Sequence, residues 1–161
     1  MEKIGAKWCT YPIFWCERGE ARVLTGEYFH AIDTKSRVFV PAKLREELGE
    51  AFILARNVDG CLSLYHKDEW EKLCQKINSL PSTQTHAIKR FIYTSAYELT
   101  PDIHGRITLP QVLREYANLT REAAFLGVGD HAELWDAERW NAMKNGDDAA
   151  EIERQMRELG L

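Results

Sequence analysis

The 161-residue chain has no apolar run approaching the roughly 18 residues of a membrane-spanning helix, so no membrane association is expected. It holds four cysteines, Cys9, Cys16, Cys61 and Cys74, and none stand in a Cys-x-x-Cys pair. Zinc is therefore not expected. A disulfide framework is not expected either in a chain that is 45% hydrophobic and can build a core. Cys61 and Cys74 fall on apolar faces and read as buried thiols. A phosphate-cradling glycine loop, a nucleophile motif and metal-ligand spacing are all missing. Asp33 and Asp102, with His30 and His104, offer acid–base groups, but no catalytic constellation surrounds them. His30 reads as a strand residue and His104 as a loop residue. The expectation is a non-enzyme without cofactor, metal or small-molecule substrate, in the cytoplasm. Positive charge is also short. There are 21 Lys and Arg against 25 Asp and Glu, a net charge of -4, which argues against a simple nucleic-acid binder.

What the chain does have is one stretch written twice. Tyr28 to Glu46 and Tyr97 to Glu115 align without a gap. Tyr28, Asp33, Arg37, Pro41, Leu44, Arg45 and Glu46 reappear as Tyr97, Asp102, Arg106, Pro110, Leu113, Arg114 and Glu115. Such self-similarity marks an internal duplication. Each copy reads as strand, tight turn, strand, helix. Val38-Phe39-Val40 and Ile107-Thr108-Leu109 suit a pleated surface. Pro41 and Pro110 fit the first helical position, where a missing N–H costs nothing. Leu44 and Leu48, then Val112, Leu113 and Tyr116, give each helix an apolar edge. Gly49 and Asn118 fit left-handed helix ends. A single repeat of about 50 residues would be marginal alone, so the two copies are expected to share one core around a pseudo-two-fold axis.

In both copies three residues separate an Asp from an Arg. A three-residue hairpin loop would set Asp33 against Arg37 and Asp102 against Arg106, roughly 5 Å apart at Cβ. An arginine held this way is a pre-oriented fork for phosphate or guanine. The alternative is an Asp that closes its own turn and an Arg that merely pairs with it. The third loop position favours a left-handed backbone. Gly105 suits it, whereas Ser36 would cost about 1 kcal/mol there. Charge is also local. From Asp33 to Arg45 four basic residues face one acid, a charge of +3. From Asp102 to Arg114 the charge is +1, and from Asp136 to Leu161 it is -3. Local potential, not the total, governs binding to phosphate.

Asp-Thr-Lys-Ser-Arg-Val-Phe-Val-Pro-Ala-Lys-Leu-Arg-Glu, Asp-Ile-His-Gly-Arg-Ile-Thr-Leu-Pro and Val-Asp-Gly-Cys-Leu-Ser-Leu-Tyr resemble the MraZ family, the tandem-repeat branch of the AbrB-like transcription factors. The resemblance runs from about Gly26 to Asn145. It implies an α+β fold with a mainly β core, in which two AbrB-like hairpin–helix repeats interleave into one pseudo-two-fold β-barrel flanked by helices. It also implies a bacterial DNA-binding regulator of the division and cell-wall gene cluster, working as a homo-oligomeric ring on double-stranded DNA with repeated short sites, in the nucleoid. The expected DNA contacts are Lys35, Arg37, His104 and Arg106, with Asp33 and Asp102 orienting the arginines. Ser36 stands where that motif usually has Gly. The chain upstream of Gly26 has no counterpart in the family pattern. The AbrB-like fold also serves antitoxin-like oligomeric interaction modules, which is the alternative reading.

The rest divides as follows. Residues 1–25 are an N-terminal extension, 26–78 repeat 1, 79–96 a connecting helix, 97–145 repeat 2, and 146–161 a C-terminal helix or tail. The leader lacks a cleavage signal and is expected to be disordered; its aromatic residues could instead dock on a neighbouring subunit. Phe52 to Ala55 and Cys61 to Tyr65 read as strands around Asp59-Gly60. Trp70, Leu73, Cys74 and Ile77 share a helical face that Pro81 ends. Thr83 or Thr85 is the expected cap of a helix carrying Ile88, Phe91 and Ile92, with Lys89 and Arg90 on its solvated side. Ala124 to Val128 and His131 to Trp135 repeat the strand pair, and Asp136 caps a helix to Asn145. Glu151 to Leu159 forms a last short helix with a thin apolar stripe.

Overall fold

The computed structural model describes residues 22–146 and 148–161. The expectations for residues 1–21, including Cys9 and Cys16, lie outside the described residues; of the leader's last residues, Leu24 and Thr25 lie in the first strand, paired with Gly129 and Val128. Repeat 1 supplies β1 (Leu24–Ala31), β2 (Arg37–Phe39), α1 (Ala42–Leu48), β3 (Phe52–Arg56), β4 (Leu62–His66) and α2 (Lys67–Asn78). After α3 (Ser82–Tyr93), repeat 2 supplies β5 (Tyr97–Leu99), β6 (Arg106–Thr108), α4 (Gln111–Tyr116), β7 (Glu122–Gly129), β8 (Ala132–Asp136) and α5 (Ala137–Gly146). α6 (Ala149–Glu158) follows. Among the described residues no helix is long and apolar enough to cross a membrane.

Strand order shows how the duplication folds. One antiparallel sheet runs β1-β7-β8-β4-β3-β5, and β2 pairs with β6 as a separate two-stranded ribbon. Exchanging the repeats reads the same order backwards, which is the mark of a pseudo-two-fold axis. The axis passes through pairs that are their own counterparts, Val38↔Ile107 in the ribbon and Ser63↔Glu133 in the sheet. Each repeat's first strand therefore lies against the other repeat: β1 on β7, β5 on β3. Neither repeat completes its own sheet.

The sheet does not close into the expected barrel. β1 and β5 stand at its two ends and do not pair with each other. β1 has eight residues and β5 three. The stretch of repeat 2 that matches the start of β1 is taken up by the end of α3 and the turn after it. Backbone already committed to helical hydrogen bonds cannot extend a strand ladder.

The core lies between ribbon and sheet and draws on both copies. Val38 and Ile107, Val40 and Leu109, and Leu44 and Leu113 are all buried in it. Each fully buried aliphatic side chain contributes about 1.5–3 kcal/mol, so core stability is shared between the repeats. A satellite cluster repeats as well. Trp70 packs on Tyr65 with centroids 5.8 Å apart, and its counterpart Trp140 packs on Trp135 at 5.9 Å.

Local chemistry follows the sequence with three corrections. Pro41 and Pro110 sit one residue before the helix, with extended ψ of 134° and 135°. Their carbonyls accept the first helical hydrogen bonds, from Arg45 N and Arg114 N, both at 2.9 Å. α3 begins after Pro81 with no side-chain cap, so neither Thr83 nor Thr85 has that role, and Thr85 is buried. Cys74 is half-buried rather than buried, while Cys61 is buried as expected. Both helix ends at Gly49 and Asn118 have positive φ, 85° and 50°.

Candidate nucleic-acid interface

Each turn is built around one carboxylate. Asp33 Oδ1 accepts from the backbone N–H of Lys35 at 2.9 Å and of Arg37 at 2.8 Å, while Oδ2 accepts from Arg37 Nε at 2.7 Å. Asp102 Oδ1 accepts from the N–H of His104 at 2.9 Å and of Arg106 at 3.0 Å, and Oδ2 from Arg106 Nε at 3.0 Å. The Asp–Arg pairing expected from the spacing is thus present in both copies. The Asp closes its own turn with one oxygen and holds the Arg with the other. The backbone hydrogen bonds donated by Arg37 and Arg106, reinforced by their side chains, keep both carboxyls below the ordinary Asp range. Each carboxylate uses only Nε, and among the described residues the Nη groups of Arg37 and Arg106 have no hydrogen-bond partner.

The turns feed antiparallel strands, so they lie at opposite ends of the ribbon. Side chains alternate along a strand, and opposed residues share a face. Val38 and Ile107 point inward and are buried. Arg37, Phe39, Arg106 and Thr108 share the outward face, with Arg37 opposite Thr108 and Phe39 opposite Arg106. The side chains of Arg37 and Arg106 keep 31% and 29% exposure, enough to reach a ligand while their stems are packed. Lys35 and His104 are exposed on the turns. The fold thus brings Lys35, Arg37 and Asp33 together at one end and His104, Arg106 and Asp102 at the other.

Two residues outside that set brace the turns across the axis. The ladder continues beyond the strands through Val40 N to Gly105 O at 2.9 Å and Leu109 N to Ser36 O at 2.8 Å. The guanidinium of Arg114 then reaches the Ser36 hydroxyl, and that of Arg45 lies against Gly105, where a Cβ would come within 2.6 Å of its Cζ. Arg45 Nε donates to Val40 O at 2.9 Å, and Arg114 Nε to Leu119 O at 3.1 Å. Ser36 does take the left-handed backbone expected to strain it, at φ 59°. Its hydroxyl accepts a charge-assisted hydrogen bond that glycine could not. The repetition of Arg45 as Arg114 was the available sequence signal. What it could not show is that each arginine serves the other copy's turn.

Among the described residues no group of three or more His, Cys, Asp or Glu is placed to hold a metal ion. The surface is a shallow display of cationic side chains on a two-stranded ribbon, of a charge that attracts a polyanion.

Fold and surface together define a two-repeat protein with one exposed two-stranded ribbon shared between its halves. Residues 23–90 and 92–159 each match the family described as "MraZ protein, putative antitoxin-like". The chain belongs to the MraZ family. The transcriptional regulator MraZ of Alkaliphilus oremlandii (strain OhILAs) is 46% identical over 140 residues, 84% of this chain and 98% of the relative. That of Heliobacterium modesticaldum is 47% identical over 118 residues, 72% of this chain and 82% of the relative. That of Clostridium tetani is 40% identical over 139 residues, 84% of this chain and 98% of the relative.

Proposed function

We propose that this chain is a sequence-specific DNA-binding transcriptional regulator, a repressor of the division and cell-wall gene cluster that includes its own promoter. The observation that carries this reading is the matched pair of Asp-braced arginines on one exposed ribbon face. A two-stranded ribbon fits the major groove, and a guanidinium with both Nη groups free can grip guanine O6 and N7 bidentately. Lys35 and His104 flank the arginines against the phosphates. That the relatives are transcriptional regulators supports the same reading.

One ribbon is a small reader, and a lone one binds weakly. A homo-oligomeric ring facing repeated short sites would raise the effective concentration of each further contact. Residues 26–78 and 97–145 act as the two AbrB-like repeats, 79–96 as their connector and 146–161 as an appended helix. The protein works in the cytoplasm, on the nucleoid.

The test is a gel shift at fixed salt on DNA upstream of its own gene. Arg37→Ala and Arg106→Ala should each weaken binding about tenfold or more, the scale of one bidentate base contact. Their circular dichroism should match wild type. Unchanged binding by the double variant refutes the assignment. A second reading, an antitoxin-like interaction module, draws on the exposed apolar side chains of Ile152 and Met156 on α6 and of Leu159 just past its end. It would be favoured by partner capture on α6 together with DNA binding that shows no salt dependence.

A further inference from the structure

The backbone of the ribbon is close to two-fold symmetric, but its outward face is not. At the end beside Arg106 stand Phe39, 39% exposed, and Ile103 at the turn tip, 95% exposed. At the matching positions beside Arg37 stand Thr108 and Thr34. One end is therefore apolar and the other polar. Apolar groups that cluster on an exposed face tend to mark contact sites.

Phe39 is also held in place. Its ring lies 5.9 Å from the His30 ring, and the Arg45 guanidinium sits 5.8 Å from its centroid. His30 comes from β1 and Arg45 from α1, so two elements besides its own strand fix the ring. A ring fixed this way loses little conformational freedom on binding.

We infer that Phe39 is a specificity-determining residue, which rests on the DNA-binding reading above, and that it packs on the 5-methyl group of a thymine next to the base taken by Arg106. Thymine is the base that presents an apolar group in the major groove, and a phenyl ring is a suitable partner for it. Thr108, at the matching place beside Arg37, carries a hydroxyl and a smaller methyl. The two ends of one ribbon then prefer different base steps, and one chain binds its site in one orientation.

The experiment uses the full chain and a synthetic duplex carrying the sequence selected by the wild-type protein from random DNA. Each thymine is replaced in turn by deoxyuridine, which removes the methyl group and leaves the hydrogen-bonding edge intact. Wild type should lose about fourfold in affinity at one position, the transfer free energy of a single buried methyl. Phe39→Ala should bind the thymine and deoxyuridine duplexes equally. Its dependence on salt concentration should match wild type, because no phosphate contact is lost. Phe39→Leu, which keeps an apolar side chain, should retain part of the discrimination. Discrimination that persists in Phe39→Ala, or a wild-type protein indifferent to every deoxyuridine, overturns the inference. The same duplex with the Arg37→Ala/Arg106→Ala chain tests the underlying reading separately. Full binding there would sink DNA recognition by the ribbon, whatever Phe39 does.

Discussion

The Asp33–Arg37 turn and the Asp102–Arg106 turn share the same hydrogen bonds, carboxylate to two N–H groups and one Nε, within a few tenths of an ångström. They differ in what surrounds that frame. The third loop position is Ser36 in one and Gly105 in the other, and both have left-handed φ, 59° and 80°. Gly105 takes that conformation without strain and lets Arg45 lie flat against it. Ser36 strains the backbone and offers Arg114 an acceptor in return. Two solutions thus hold one geometry, and the geometry that is kept is the one that aims the arginines. The neighbours that do not affect it, Phe39 against Thr108 and Lys35 against His104, have diverged.

The largest effect that tests this equivalence lies in the core. Leu44→Ala and Leu113→Ala remove matching buried side chains, and each should cost about 3 kcal/mol in urea unfolding. A difference of more than about 2 kcal/mol between them would mean that the repeats do not share the core evenly. Next, Gly105→Ala should cost about 2 kcal/mol, because a Cβ is disfavoured at positive φ and would collide with the Arg45 guanidinium. Ser36→Gly, the converse change, should stay within about 1 kcal/mol of wild type, since relief of strain offsets the lost hydroxyl contact. If both were neutral, the two turns would not be distinct solutions.

Asp33→Asn and Asp102→Asn should each lower DNA affinity severalfold in a gel shift while every arginine remains. The amide nitrogen cannot accept the hydrogen bond that now holds Nε. Binding at wild-type strength by both variants would mean the arginines need no brace.

The smallest expected effect is the pH dependence contributed by His131, a histidine without a histidine counterpart in repeat 1. His131 in repeat 2 stands where repeat 1 has Cys61. Burial works to lower the His131 pKa, but hydrogen bonds with Glu133 and Asp130 outweigh it and raise the value. Its ring also stacks on Tyr65 at 5.1 Å. A raised folded value means the contribution is complete below the unfolded pKa of about 6.5. It fades as pH rises through the folded value. Burial pushes the Cys61 thiol up, so it stays neutral across this window. Urea unfolding from pH 6 to about 8 should show wild type losing stability relative to His131→Gln. Parallel curves would place the pH dependence elsewhere. At the acid end the sign reverses. The lowered Asp33 and Asp102 values mean their contribution is present above about pH 4. It is lost as pH falls through the folded values.

Much of this was legible in the chain. The gapless repeat gave the strand–turn–strand–helix unit, its Asp–Arg spacing and its turn residues, because these depend on neighbours a few residues apart. The helix after each strand pair follows from local periodicity for the same reason. The open sheet was not legible. Whether β5 could lengthen to meet β1 depended on how far α3 ran, and helix ends are set by packing rather than by propensity. The crossed bracing by Arg45 and Arg114 was also hidden, since it links residues in opposite halves.

By itself the sequence determined that each half makes a carboxylate-closed turn presenting an arginine, because the hydrogen bonds involved span four residues and need nothing from outside. Only the tertiary structure decided that the two turns would share one ribbon, with four side chains outward on a single face. That outcome requires strands from distant parts of the chain to pair in a particular register. Register is chosen where Val38 and Ile107 are buried against each other on the axis, and no short stretch of chain contains that choice.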